Sequence, residues 1–232
     1  MTISCILPAY NVERYLAEAV ASLQAQTREL TEIVIVDDGS RDGTLALAQQ
    51  LALQDARLRV VHQANQGNTA ARNRGVEASS GDILSFLDAD DLWLPDRLEH
   101  ALHAFEHDPA LDYLVGYARP YFDWQPDVPA EVRLRSQQDP RNQCDTPAFI
   151  GAGLVVRRSA WQRVGPFDPE RSHASGMDWF LRARSLGLRE AVVPQSLYLR
   201  RIHGDNLSLQ SSAASQLQFA RTLRDHIRRT KK

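Results

Sequence analysis

Asp88-Ala89-Asp90-Asp91 concentrates more chemistry than any other stretch of this chain: an apolar run, Ile83–Leu87, ends in three carboxylates within four positions. Unpaired carboxylates held this close repel one another and are pushed toward protonation. A divalent cation relieves that conflict, and a hard cation such as Mg²⁺ takes one or two carboxylates together with substrate phosphates. The segment therefore reads as a strand that delivers a metal–diphosphate site at its carboxyl end. It also reads as a strand followed by an acidic helix start, with Asp91 or Asp96 capping a helix around Pro95.

Two more apolar runs end in polar groups. Ile3–Leu7 leads into Pro8-Ala9-Tyr10-Asn11, and Ile33–Val36 leads into Asp37-Asp38-Gly39-Ser40. Ligands of open α/β sheets bind outside the carboxyl ends of the strands, so three such ends on one edge form a coherent set. The adjacent acids Asp37 and Asp38 could accept hydrogen bonds from a base N–H or ribose hydroxyls; turn and helix-cap chemistry is the other reading. Asn65–Gly75 adds an amide-rich loop entering a helix that carries Arg72 and Arg74, an arrangement suited to phosphate or a nucleobase. Neither a GxxxxGK[ST] nor a GxGxxG pattern occurs, so a P-loop NTPase and a dinucleotide fold are unsupported.

The elements that must hold these ends alternate. Apolar residues at helical spacing (Leu16, Val20, Leu23; Leu45, Ala48, Leu51; Leu98, Leu102, Phe105) and a helix over Thr69–Ala78 separate strands at Ile3–Leu7, Ile33–Val36, Leu58–Val61, Ile83–Leu87 and Tyr113–Tyr117. This alternation predicts a mostly parallel, doubly wound α/β sheet. Residues 123–147, with Pro126, Pro129, Pro140 and Pro147, read as a long exposed loop. A short helix near Ser159–Val164, a helix over Asp178–Leu186 and late strands at Val192-Val193 and Leu197–Ile202 follow. One domain is expected over 1–232, in three parts: the alternating part (1–120), the part after the register changes (121–205) and a C-terminal helix (206–232).

Composition bounds the partners. With 232 residues and a formal net charge of −2, the chain is not expected to be a dedicated nucleic-acid binder, which usually shows a basic face. Cys5 and Cys144 form neither a disulfide framework nor a zinc spacing. The start at Thr2–Leu7 is strand-like rather than a leader, and no stretch approaches the roughly 18 to 20 apolar residues of a membrane span. A reduced, cytoplasmic setting is expected. Arg224–Lys232 is basic and follows an apolar stripe of Leu217, Ala220, Leu223 and Ile227. It reads either as a packed helix with a solvated cationic end or as peripheral contact with anionic lipid at the inner face of a membrane.

Taken in order, Ile6-Leu-Pro-Ala-Tyr-Asn11, Val36-Asp-Asp-Gly-Ser40, Asn65–Gly75 and Phe86-Leu-Asp-Ala-Asp-Asp91 resemble family 2 glycosyltransferases of the GT-A fold. The later part resembles them more loosely, through Gly151–Arg157, Phe167-Asp168, Asp178–Arg182 and Arg201-Ile-His203. The resemblance implies a single Rossmann-like, doubly wound, mostly parallel sheet with a short mixed C-terminal part. It implies inverting transfer of a sugar from a nucleotide-sugar donor, usually a UDP-sugar, to an acceptor hydroxyl, with Mn²⁺ or Mg²⁺ as cofactor. By that likeness Pro8, Ala9, Tyr10 and Asn11 would line the base site beside Asp37, and Asp38 would accept from the pyrimidine N–H. Arg72 would sit near the base or diphosphate, Asp88 with Ala89 near ribose and metal, and Asp90 on the metal. His203 falls near metal and diphosphate, a plain surface or core histidine being its other reading.

The same likeness places an acidic pair, the source of the general base, just before a helix ending in Leu-x-x-Arg. Here Ser175 and Gly176 fall on that pair, and Asp178 follows two residues later. Asp178 after a local shift, His173, or a chain that binds donor without efficient transfer are the three readings; Asp178 as a helix cap is the structural one. Acceptor recognition is expected in residues 119–150 and 165–178, for a glycan, lipid-linked or peptide acceptor. Two rivals remain weaker. His103-Ala-Phe-Glu-His107 matches a zinc-hydrolase pattern, but on a helix whose buried stripe is Leu98, Leu102 and Phe105. A nucleotidyltransferase would need a Gly-rich basic loop where Asn11-Val-Glu-Arg-Tyr15 stands.

Overall fold

All seven residues of β1 (Ile3–Ala9) are buried, the signature of a strand covered on both faces. Ile3, Cys5, Leu7 and Ala9 pack on one side with Leu16, Val20 and Leu23 of α1 (Glu13–Gln24), whereas Ile6 enters a separate cluster on the other. Burial pushes the Cys5 thiol up, so this cysteine serves as a small hydrophobe. The structure, a computed structural model, describes residues 1–126, 128–204, 206 and 213–230.

β1 pairs in parallel with β2 (Glu32–Asp37) and β4 (Ile83–Phe86), and β2 with β3 (Leu58–His62), the chain crossing over through α2 (Thr44–Ala52) and α3 (Asn68–Ala78). α3 lies very close to the sheet. A Cβ on Gly75 would stand 2.5 Å from Ile6 Cγ2, so glycine permits the approach that carries Arg72 to the strand ends.

Past β4 the sheet becomes mixed. The remaining elements are β5 (Leu92–Trp93), α4 (Arg97–His107), β6 (Tyr113–Phe122), α5 (Ala130–Gln138), β7 (Thr146–Pro147), β8 (Leu154–Arg157), α6 (Arg158–Val164), α7 (Ser175–Ser185), β9 (Glu190–Ile202) and α8 (Ala213–Thr230). Strands run in the order β3-β2-β1-β4-β8-β6-β9-β5, with β7 paired to β6. β8 is antiparallel to both β4 and β6, whereas β9 runs parallel to β6. The second face is covered by an aromatic cluster in which Trp161, Phe167, Trp179 and Phe180 pack against Phe86 and Tyr113.

The α/β alternation expected from the sequence is therefore present. Three details differ. Residues 123–147 are not one loop but contain α5 and β7; of α5 only Ser136 is buried, and a helix polar on nearly every side carries no periodic signal. The two late strands are one 13-residue strand, β9, whose register against β6 shifts on either side of Tyr117. Of the expected C-terminal helix at 206–232, residues 213–230 are helical, while 207–212 and Lys231-Lys232 lie outside the described residues. No helix among the described residues is long and apolar enough to cross a membrane.

Candidate active site

The ends of β1 and β2 are laced together. Asn11 adopts a left-handed φ of 52°, which asparagine tolerates better than most residues; its Oδ1 accepts from the Arg41 amide at 2.8 Å and its amide donates to Ser40 Oγ at 3.1 Å. Asp38 organises the next loop, accepting from Gln63 Nε2 at 2.7 Å and from the amides of Gln66 and Gly67 at 2.9 and 2.7 Å. Two carboxylate oxygens offer about four acceptor positions, so three donors leave room for one more. Asp37 sits behind it. Its Oδ2 accepts from the Ser40 amide and meets His62 Nδ1 at 2.8 Å, while Oδ1 is buried with no protein partner.

The acidic loop after β4 is held residue by residue. Asp88 takes a short charge-assisted bond from Arg72, whose guanidinium is buried against Gly151. Asp90 Oδ2 stands 3.1 Å from His203 Nε2 and 3.4 Å from Asn206 Nδ2. Asp91 is buried and accepts the Arg201 amide at 2.8 Å. Burial first, then the charges of Asp90 and Asp88, push its carboxyl well above the usual range. The helix-cap reading fails on both residues. Asp91 bonds β9 instead, and Asp96, although it precedes α4, makes no side-chain cap bond.

Arg201 is the hub of this region. Its buried guanidinium donates to the Asp90 carbonyl at 2.8 Å and pairs with Asp123 and Glu18. It lies over the rings of Tyr15 and Tyr121, and Tyr15 in turn packs on His203 with ring centroids 4.8 Å apart. A cleft of about 890 Å³ opens over these groups. Pro8, Ala9, Tyr10, Asn11, Asp38, Asp88, Ala89, Asp90 and His203 all line it; Asp37 lies behind the wall and Arg72 reaches it through Asp88. Sequence reasoning passed over Tyr15, Ile150, Arg201 and Asn206 as site residues. Only Arg201 left a signal, two places before His203.

The Asp90 carboxylate is the kind of ligand that suits Mn²⁺ or Mg²⁺, and the His203 imidazole stands 3.1 Å from it. No group of three or more His, Cys, Asp or Glu among the described residues could hold a metal alone. The donor set therefore fits a cation completed by substrate phosphate and water, the usual habit of Mg²⁺. His103 and His107 do not compete as a zinc site. Their rings stack with centroids 3.8 Å apart, and His107 Nδ1 meets the His103 carbonyl.

The two residues expected as catalytic base lie elsewhere. Asp178 is buried one turn inside α7, with Arg182 Nε at 2.8 Å and Arg171 Nε at 3.7 Å, and lines a separate cavity between α7 and α8. His173 is exposed, its amide bonded to Gln218. Ser175, by contrast, accepts from Thr69 Oγ1 at 3.3 Å at the start of α3. A Cβ on Gly176 would stand 2.9 Å from the Gly151 nitrogen, so a larger residue at 176 would force the backbone beside Ile150, at the cleft rim, to move. Asp178→Asn is accordingly expected to lower stability through its lost ion pairs while leaving transfer by the folded protein within about threefold of wild type. Steady-state kinetics alongside thermal melts check this; a loss beyond about 100-fold in the folded variant would return Asp178 to the chemistry.

Residues 4–165 match the glycosyl transferase family 2 description. The chain is 31% identical over 234 aligned positions to an uncharacterized glycosyltransferase of a Nostoc species, covering 96% of this chain and 71% of that protein. It is 30% identical to the putative glycosyltransferase EpsH of Bacillus subtilis, covering 87% of this chain and 61% of that one. Among solved structures, S. aureus TarS residues 1–349 in complex with UDP-GlcNAc superposes with a TM-score of 0.70 at 21% identity, covering 91% of this chain and 61% of that chain. The mannosyltransferase PcManGT of Pyrobaculum calidifontis, in complex with GDP-Man and Mn²⁺, also gives 0.70, at 19% identity and covering 98% and 63%. At such identities the likeness to the solved structures is one of fold.

Proposed function

The chain belongs to glycosyl transferase family 2 and is a glycosyltransferase of the GT-A fold, and from that premise we propose that its cleft binds the nucleoside diphosphate of a nucleotide-sugar donor, a UDP-sugar, for transfer with inversion to an acceptor hydroxyl. The observation that carries this reading is the convergence of three strand ends and the Arg201–His203 arm on one cleft. In it, Pro8, Ala9, Tyr10 and Asn11 line the base site. Asp38 offers its remaining acceptor position to the pyrimidine N–H, with its orientation fixed in advance by the 63–67 loop. Asp37 supports that strand end from behind. Arg72 fixes the Asp88 carboxylate beside Ala89, toward the ribose and diphosphate.

Asp90 and His203, with Asp88 adjoining, are the residues that would hold Mn²⁺ or Mg²⁺. When bound, the cation supplies Lewis-acid charge neutralisation for the departing diphosphate. Arg201 orients Asp90 through its carbonyl, and Tyr15 orients the His203 ring. One observation favours slow turnover as a second reading: Asp178 is tied to two arginines, and neither Ser175 nor Gly176 supplies a carboxylate. Residues 1–120 serve the nucleotide, 121–205 serve a glycan, lipid-linked or peptide acceptor, and the whole acts as one domain. Free Cys5 and Cys144 suit a reducing, cytoplasmic setting.

A panel of nucleotides tests the reading. UDP or its sugar conjugate with Mn²⁺, at about 100 times its Kd, is expected to raise Tm by roughly 5–10 °C, with GDP smaller. Release of UDP from one conjugate identifies the sugar. If no nucleotide stabilises the protein with either cation, the reading fails.

A further inference from the structure

α8 is docked on the body by its polar side. Thr222 is buried, and its Oγ1 accepts from Arg171 Nη1 at 2.9 Å. Asp225 accepts from Arg171 Nη2 at 3.0 Å, and Gln218 Oε1 accepts from the His173 amide at 3.1 Å. Large apolar side chains point the other way. Phe219 and Leu223, at i and i+4, are 44% and 49% exposed, and Leu217 and Ile227 are 49% and 43% exposed. A surface helix of a globular protein ordinarily does the reverse, so the apolar stripe read in the sequence is not the packed face. An exposed row of this kind marks an interaction surface.

Charge narrows the partner. The last twenty residues hold six cationic side chains and one acid in a chain whose net charge is −2. Arg221, Arg224 and Arg228 are exposed. At i±3 and i±4, Arg221 adjoins Leu217 while Arg224 adjoins Ala220 and Ile227, so cationic and apolar groups share one outward surface. Self-association through this surface across a two-fold axis would set arginine rows against each other. An apolar strip bordered by arginines complements instead an acyl boundary beneath anionic headgroups.

We propose that the outward face of α8, built from Leu217, Phe219, Leu223 and Ile227 with Arg221, Arg224 and Arg228, docks the enzyme on an anionic phospholipid surface. The helix lies flat with its polar side still on α7. The Gln218 end of α8 adjoins His173, just before α7, and Gly176 abuts Ile150 at the cleft rim, so docking holds the cleft one helix away from the membrane.

Vesicle flotation of the full chain tests this, with phosphatidylcholine alone and with about one-third phosphatidylglycerol. Wild type is expected to float with the anionic vesicles and not with the neutral ones. Phe219→Asn/Leu223→Asn should weaken binding at least about tenfold, and replacing Arg221, Arg224 and Arg228 by Gln on the order of 100-fold, near fivefold each. Both variants keep the Arg171 contacts, so the thermal shift with UDP and Mn²⁺ should be unchanged; this separates failure here from failure of the donor reading. Equal flotation on both vesicles, no flotation, variants that bind like wild type, or a wild-type dimer that the Asn variant dissolves would each overturn the proposal.

Discussion

Asp90→Ala is expected to remove the Mn²⁺-dependent part of UDP stabilisation and to lower transfer at least about 100-fold, some 2.7 kcal/mol of transition-state stabilisation. The size follows from how few protein groups would hold the proposed cation. Asp90 and His203 are the pair whose atoms converge, and no three-residue cage exists among the described residues to replace a lost ligand. The substitution spares the fold, because Arg201 bonds the Asp90 carbonyl rather than its side chain. Tm without ligands should therefore stay within about 3 °C of wild type. Thermal shift with UDP, with and without Mn²⁺, reads binding independently of turnover. Undiminished dependence on Mn²⁺ would place the cation elsewhere.

Arg201→Met is expected to damage stability and site together. The substitution keeps much of the side-chain volume but deletes the donors to Asp90, Asp123 and Glu18 and the cation over two tyrosine rings. Removing one member of a buried ion pair costs about 3–5 kcal/mol. Glu18 is 63% exposed and regains water, so roughly 2–3 kcal/mol, or about 5–10 °C in Tm, is the expected loss. Cation affinity in the presence of UDP should fall about 10- to 100-fold, as for other groups that orient a metal ligand. Titrating Mn²⁺ against the UDP thermal shift measures it. A destabilised variant with wild-type Mn²⁺ affinity would reduce Arg201 to a purely structural ion pair.

The donor side was legible because the physics there is local. β1, β2 and β4 are buried on both faces, so their apolar runs stop where the strands stop, and polar residues that follow line the cleft. The region of the expected base was illegible because its decisive contacts are tertiary. Nothing in the sequence says that Gly176 lies against the Gly151 backbone, or that Arg171 closes on Asp178 from outside α7. One clue was present: Arg182 lies four residues after Asp178, the spacing of a helical ion pair. α8 misled in a different way. Its apolar stripe was visible, but the side that packs is chosen by Arg171, a residue about fifty positions earlier that binds Thr222 and Asp225.

The Arg201 hub also says something about how the molecule is assembled. β1 pairs with β2, and β2 with β3, across fewer than thirty positions, and β4 joins β1 across 80, whereas Arg201 reaches Asp90 across 111 positions and Glu18 across 183. Contacts of such long sequence separation form late, after the loop between them has been closed. During synthesis the parallel half can collapse as soon as it emerges, with its acidic loop still lacking Arg201 and His203. The acidic edge of the cleft is thus complete only once residues 190–203 have been made, because β9 supplies Arg201 and the chain just after it supplies His203.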